Sequence, residues 1–577
     1  MNEMSDQIRA IVFVVLALVI LFAWGHFYKP PVAPQPQNAQ SAVQDSTSQA
    51  PGTSVANAGA MSRQTERSAA ASATTVQASE EKTVIVESPL YLVELSNRGG
   101  LVRSWKLKKY SDDEKPPHLL DLVNNSAAQQ LGWPFSLVLS DSQLGQMPSK
   151  LLEEKANSAL YEVTPGLGNL TAPTEVTFHW SDGHLDVTKK LNFTQDYVMS
   201  AEVSVLLEGR PIPAGIAWRG GFGDRAVYKA ASLVTVYYKL NDKLNLLQYK
   251  KLGVSGNQIQ PALQNGPMEY LGIEDQFFTA AFLPDGSELS LWHWTQDHGI
   301  VDDGKPASEP IAEMAAGTTI AAPLIVRVYV GPKDLAILEK TKPPLAELIN
   351  FGWTGVIAKP LLWVLQTIHT KVPNYGWCII LLTLVINFAM FPLKMKSWRS
   401  MQKMQKVGPE IRQIQDRYKK YSMSDPRKKK MNEEVMAIYS REGINPMGSC
   451  IPMLFQMPIW WALWRVLNGA IELRHAPWMF WIHDLSAKDP YYILPIGMAI
   501  MMYLMTKMTP QTTTDPAQQK MMALMPLMFG FFFFNLSSGL NLYMFTSNLV
   551  GIGQQVYLNR TEPLPAKGKF KKKALNE

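Results

Sequence analysis

The chain has 577 residues, 46% of them hydrophobic and 18% charged, and 55 Lys and Arg against 49 Asp and Glu give it a net charge of +6. That length leaves room for more than one domain, and the mean hydropathy of −0.07 averages a polar first half with an apolar last third. The two cysteines, Cys378 and Cys450, lie in or beside apolar, membrane-length segments and near opposite faces of a bilayer. That excludes a disulfide framework and a Cys-based metal site.

At the start of the chain, Arg9 precedes an apolar run over 11–24 that reaches about 20 residues with its aromatic flanks, enough to cross a bilayer. A membrane anchor over 1–28 is expected. A cleaved signal peptide is the competing reading, with Ala23 and Gly25 as poor small-residue sites. Residues 29–81 are rich in Pro, Ala, Ser, Gln and Thr and read as a disordered linker. From Lys82 the pattern changes to short alternating runs such as Val176-Thr-Phe-His-Trp and Ile325-Val-Arg-Val-Tyr-Val, separated by turns such as Asn97-Arg-Gly-Gly and Ser181-Asp-Gly. These predict an extracytoplasmic all-β sandwich over 82–332. Its His179, His184, His293 and His298 show no ligand spacing and read as surface or core residues, so neither a metal nor a cofactor is expected. Residues 333–360 read as an amphipathic helix with Leu335, Leu338, Leu345, Leu348 and Ile349 on its stripe, broken at Pro343-Pro344. It fits either the membrane–water interface or a plain connector.

Five further apolar segments follow: a second span over 361–393, then the third to sixth within 450–558, at 450–473, 491–508, 521–536 and 540–558. The loop 394–449 holds fourteen Lys or Arg against six Asp or Glu, a net of 14 − 6 = +8. Cytoplasmic loops collect such charge. Alternation then puts the β-domain and 474–490 outside, and both termini inside. The expected fold is a polytopic α-helical membrane protein with six spans, cytoplasmic N and C termini, an extracytoplasmic all-β sandwich domain and a cytoplasmic helical hairpin.

In the hairpin, Val407, Ile411, Ile414, Tyr418 and Tyr421 keep heptad spacing, and Met431, Val435 and Ile438 repeat it on a second arm. Asp425 is placed to cap the second helix and Pro426 to open it. Arg427, Lys428, Lys429 and Lys430 then crowd a first turn, where the helix dipole disfavours cations. They read either as a solvated tip or as contacts to anionic lipid, ribosomal RNA or acidic clients. The basic tail over 559–577, with Lys571, Lys572 and Lys573, either enforces topology or makes similar contacts.

GINPMGSCIPMLFQMPIWWAL from Gly443, APWMFWIHDLSAKDPYYILPI from Ala476, TDPAQQKMMALMP from Thr514 and SSGLNLYMFTSNLVGIGQQ from Ser537 closely resemble the YidC-type membrane protein insertases. The resemblance covers about the last 220 residues, and the anchor, linker and large β-domain match the Gram-negative layout. It implies a bacterial inner-membrane insertase and chaperone, not an enzyme, whose partners are nascent membrane proteins, the Sec translocon, membrane lipids and, through hairpin and tail, the ribosome. It also implies a polar groove open to the cytoplasm and closed towards the periplasm, and a sugar-epimerase-like β-domain without that chemistry. No Walker-type Gly-rich loop is found. A small-solute or ion transporter is the alternative, though no internal repeat supports it. A third reading, a module binding cell-envelope glycans, leaves the motif-rich spans unexplained.

One departure from the family concerns charge. Aligning TLVINFAMFPL puts Asn387 where the family usually carries a groove Arg. Arg465, in the next span, either supplies that charge by reaching inward or snorkels outward or pairs with Glu472. Thr383, Gln456, Asn468, Asn541, Asn548 and Gln554 are further groove candidates, with helix–helix hydrogen bonding as the plain reading. Of the 28 Met, 21 follow residue 389. Flexible Met suits a surface accepting varied apolar segments, as it suits ordinary packing. Met457, Trp461, Met501, Met505, Phe532, Tyr543 and Met544 are the expected hydrophobic slide.

Overall fold

The computed structural model describes residues 75–139, 149–166, 168–225, 233–248, 251–252, 261–302, 305–421, 425–444, 451–509, 524–525, 530 and 532–562. The expected anchor, most of the linker, half of the fifth span and Lys571, Lys572 and Lys573 lie outside the described residues.

Three sheets share one core in the N-terminal half. The largest runs in the spatial order Lys243–Gln248, Thr235–Leu240, Met268–Glu274, Phe278–Pro284, Leu324–Pro332, Val198–Leu207, Leu185–Phe193, Thr174–Ser181 and Glu162–Thr164. The second orders Leu119–Asp121, Leu101–Ser111, Tyr91–Ser96, Thr83–Glu87 and Asn169–Thr171, the last pair parallel. Ala262–Gln264, Ser290–Asp302, Lys305–Gly317, Ala214–Trp218 and Ser136–Leu139 make the third. Alternation does the sorting. In Leu185–Phe193, Leu185, Val187, Leu191 and Phe193 enter the core while their neighbours face outward. Lys189 takes a core position in that series, and its ammonium is bonded to the carbonyls of Gly99 (2.7 Å) and Phe135 (2.8 Å). Two helices flank the sheets, α1 (Asn125–Leu131) and α2 (Ser149–Ser158).

The single amphipathic helix expected over 333–360 is not formed. A four-residue helix, α3 (Leu335–Leu338), is followed by short 3₁₀ turns at Ala346–Leu348 and Gly352–Thr354. Pro343 and Pro344 cannot donate to a helical ladder, and Leu338, Leu345 and Leu348 instead pack onto the β core. The long helices come after: α4 (Gly355–His369), α5 (Tyr375–Tyr418), α6 (Pro426–Arg441), α7 (Ile451–Gly469), α8 (Ile493–Met508) and α9 (Ser538–Thr561). The segment 361–393, expected as one span, is therefore broken between α4 and α5. Pro373 withholds a donor, and the Asn374 side chain caps α5 by accepting from the Trp377 N–H. α5 runs on without a stop into the first hairpin arm. Its Val407, Ile411 and Ile414 pack with Ile438 of α6 and Ile444, and Asp425 caps α6 through the Arg427 N–H.

A second apolar core gathers Leu362 and Leu365 of α4, Ile379 and Leu382 of α5, Leu463 and Val466 of α7, Leu494 of α8 and Leu540 of α9. Among the described residues, one helix, α5, is by itself long and apolar enough to cross a membrane.

Candidate functional site

Where α5 faces α9, polar side chains repeat at helical spacing. Thr383, Asn387 and Lys394 lie at i, i+4 and i+11 on α5; Tyr543, Ser547 and Gln554 repeat that spacing on α9. Each set stays on one face. Asn387, only 3% exposed, is the centre. Its Nδ2 donates to the Thr383 carbonyl (2.9 Å) and to Ser547 Oγ (3.2 Å). Its Oδ1 accepts from Lys394 Nζ (3.0 Å), which also donates to Gln554 Oε1 (2.9 Å). Gln554 Nε2 closes the ring onto the Asn387 carbonyl (3.1 Å). Higher on α9, the Tyr543 hydroxyl accepts from Gln456 of α7 (3.1 Å). The Lys394 ammonium thus has two amide oxygens as acceptors, and among the described residues no carboxylate pairs with it. A half-buried cation held only by neutral dipoles can take an anionic partner without first breaking an ion pair.

The expected groove residues divide. Thr383, Asn387, Gln456 and Gln554 enter this network. Thr383 also donates to the Ile379 carbonyl within its own helix, and Asn548 to the Met544 carbonyl. Asn541, fully buried, donates to the carbonyls of Phe533 and Leu536. Asn468 sits at the β-domain end, where its carbonyl accepts from Gln276 Nε2 (2.8 Å). Arg465 is exposed, donates to the Asn350 carbonyl (3.0 Å) and lies against Trp464, sharing no partner with Asn387. An inward guanidinium would have to give up that carbonyl for an apolar helix interior. The cation that meets Asn387 is Lys394. Its signal was the seven-residue spacing on one helix.

Among the expected slide residues, Met457, Trp461 and Phe532 are exposed, and Met501, Met505 and Met544 half-buried. Tyr543 is buried in the helical core with its hydroxyl accepting from Gln456, and so presents no surface. At the hairpin tip Arg427 is engaged, paired with Asp425 and 3.8 Å over the Tyr421 ring. Among the described residues Lys428, Lys429 and Lys430 have no carboxylate partner.

The family model of the 60 kDa inner membrane protein matches residues 367–565, and that of the YidC periplasmic domain matches 83–364. A membrane protein insertase YidC from Methylobacillus flagellatus is 32% identical over 98% of this chain and 99% of its own length. One from Geobacter sp. strain M21 is 32% identical over 83% of this chain and 86% of its own length. Among solved structures, that of an active YidC insertase with its first transmembrane domain covers 84% of this chain and 96% of its own, at 16% identity and a TM-score of 0.34. Solute transport finds no support among these relatives.

Proposed function

This chain belongs to the YidC family of membrane protein insertases, and on that premise we propose how it passes its clients into the bilayer. It is an integral inner-membrane protein with a periplasmic domain, and an insertase rather than an enzyme. Six spans with both termini in the cytoplasm put the α5–α6 hairpin at the cytoplasmic mouth and the β-domain in the periplasm. The network of Asn387, Lys394, Ser547 and Gln554 then lies near the cytoplasmic side, between α5 and α9. A client's polar flank enters against it, and its apolar segment leaves past Met457, Trp461, Met501, Met505, Phe532 and Met544 into lipid. Polar groups moved unaided into hydrocarbon cost several kcal/mol each, and a polar site part-way across lowers that barrier.

The observation that carries this reading is the polar network built across α5 and α9, with no carboxylate in it among the described residues. Trp353 (72% exposed) in the turn before α4, and Val356 (86%) and Trp363 (66%) on α4, are exposed, while Ala358, Leu362 and Leu365 pack inward. That face suits the periplasmic membrane–water boundary. Lys428, Lys429 and Lys430 suit anionic lipid headgroups or ribosomal RNA, and the Sec translocon is a further partner. A photocrosslinker at position 387 or 544, presented to ribosome-bound nascent membrane proteins, tests the path. Adducts to the client's polar flank at 387 and to its apolar segment at 544 are expected; adducts at neither position overturn it.

A further inference from the structure

The segment that joins α7 to α8, residues 470–492, is fastened to the β-domain at one end and to three helix starts at the other. Ile471 is part of the β-domain core. Arg474 Nε and Nη2 reach Asp224 Oδ2 at 2.7 and 2.6 Å, with the two side chains 3% and 2% exposed. Nη2 also donates to the Ser111 carbonyl (2.8 Å), and the guanidinium lies 5.6 Å from the Phe278 ring centroid. Asp224 is itself held, since its N–H donates to Asp275 Oδ2 (2.6 Å) while Asp275 Oδ1 accepts from the Phe277 and Phe278 N–H groups. Beside this pair lies a cavity of about 400 Å³, lined by Gln276, Asn468, Lys488 and Asn535 among others, with Gln276 Nε2 bonded to the Asn468 carbonyl at its wall. Next to it His475 meets Asp113 (2.5 Å) and Ser111 Oγ (3.2 Å), so the Arg474–Asp224 pair is the buried member of a small polar contact beside open space.

On the other side, Asn374, the cap of α5, donates to the carbonyls of Pro477 and Trp478 (both 3.1 Å). Asp489 accepts from the Tyr491 and Leu494 N–H groups at the start of α8. At the start of α9, the Ser538 N–H donates to the Ala487 carbonyl (2.6 Å) and the Gly539 N–H to that of Leu485 (2.8 Å). One short segment thus touches the first turns of α5, α8 and α9, and two of these carry the polar network. A buried ion pair adds little net stability, yet removing one partner strands a charge in a dry site.

We propose that 470–492 is a brace setting the relative height of α5, α8 and α9, and that the Arg474–Asp224 pair makes the periplasmic domain its anchor. Arg474 and Asp224 are positioning residues for insertion. The proposal rests on the insertase reading, which the unaltered protein's own insertion of the reporter tests first.

The experiment uses full-length protein in lipid vesicles, with a reporter membrane protein whose inserted segment becomes protected from protease. Amide exchange is followed in the same samples. Arg474→Gln is expected to lower insertion several-fold and to speed exchange within 476–489 and in the first turns of α5 and α9, leaving the β-sheet amides as slow as before. Arg474→Lys retains most insertion, because a cation still meets Asp224. The double variant Asp224→Asn with Arg474→Gln loses no more than the worse single variant, as direct partners do. Unchanged insertion by Arg474→Gln overturns the proposal. So does faster exchange of the sheets alongside lost insertion, which reduces the pair to a support for folding.

Discussion

At the scale of single residues, position 387 alone gives a false impression of the site. With Asn where the family resemblance implies Arg, the sequence leaves the expected groove either neutral or charged from Arg465. In the structure the cation bonded to Asn387 is Lys394, two turns along the same helix, while Arg465 donates to the Asn350 carbonyl. Residue type and intramembrane cost single out Arg465 and leave its direction open, while Lys394 passes unnoticed because it stands at the edge of a loop already full of Lys and Arg. Only its register with Asn387 marks it. Lys394→Gln is expected to slow insertion of a client with an acidic flank about tenfold more than that of the same client with a neutral flank, the worth of roughly one charge-assisted hydrogen bond. Lys394→Arg keeps the preference. Insertion rates of the paired clients in vesicles decide it, and equal losses for both would remove Lys394 from client selection.

Among the elements, the legible ones announced themselves by period and by caps. The hairpin's apolar stripes and its Asp425-Pro426 start appear as heptads and a helix-opening pair, and both are seen in α5 and α6. The break before α5 was equally available in Pro373-Asn374, but a continuous apolar run hid it. Over 333–360 the stripe was real, yet its leucines are spent on the β core, and periodicity does not say which surface an apolar face will meet. Close approach leaves even less trace. Gly376, in the first turn of α5, lies so near Trp478 that an added Cβ would overlap the indole ring. Gly376→Ala is therefore expected to destabilise the helical half by about 1–3 kcal/mol, read as a lower unfolding temperature in detergent. Gly553→Ala on α9, where a Cβ meets nothing, is the control, expected to be neutral or to stabilise by up to about 1 kcal/mol. Equal effects of the two would mean that the contact with Trp478 is not tight.

Across the whole molecule, the β-domain carries titratable groups that the membrane half does not need and that no hydropathy pattern reveals. Glu313 is fully buried, accepting from the Gly220 N–H (2.7 Å), Trp294 Nε1 (2.5 Å) and Gln296 Nε2 (2.8 Å), and burial pushes its carboxyl up from 4.5 to about 7. Lys189 lies among backbone carbonyls, and burial draws its amine down from 10.5 to about 7. The two shifts act on opposite sides of neutrality. Between pH 4.5 and 7 the unfolded chain ionises Glu313 while the fold keeps it protonated, so folding takes up a proton and stability falls as pH rises. Between pH 7 and 10.5 the unfolded chain keeps Lys189 charged while the fold holds it neutral, so folding releases a proton and stability rises with pH. Their summed contribution has its minimum near pH 7, with arms of the order of a few kcal/mol. Denaturant unfolding of the full-length protein in detergent, followed through the β-domain tryptophans from pH 5 to 9, reads the curve. Glu313→Gln is expected to flatten the acidic arm and leave the basic one, and Lys189→Met to do the reverse while losing about 1–3 kcal/mol overall from the stranded carbonyls of Gly99 and Phe135. If neither substitution alters its own arm, the two buried charges are not what sets the pH response of the periplasmic half.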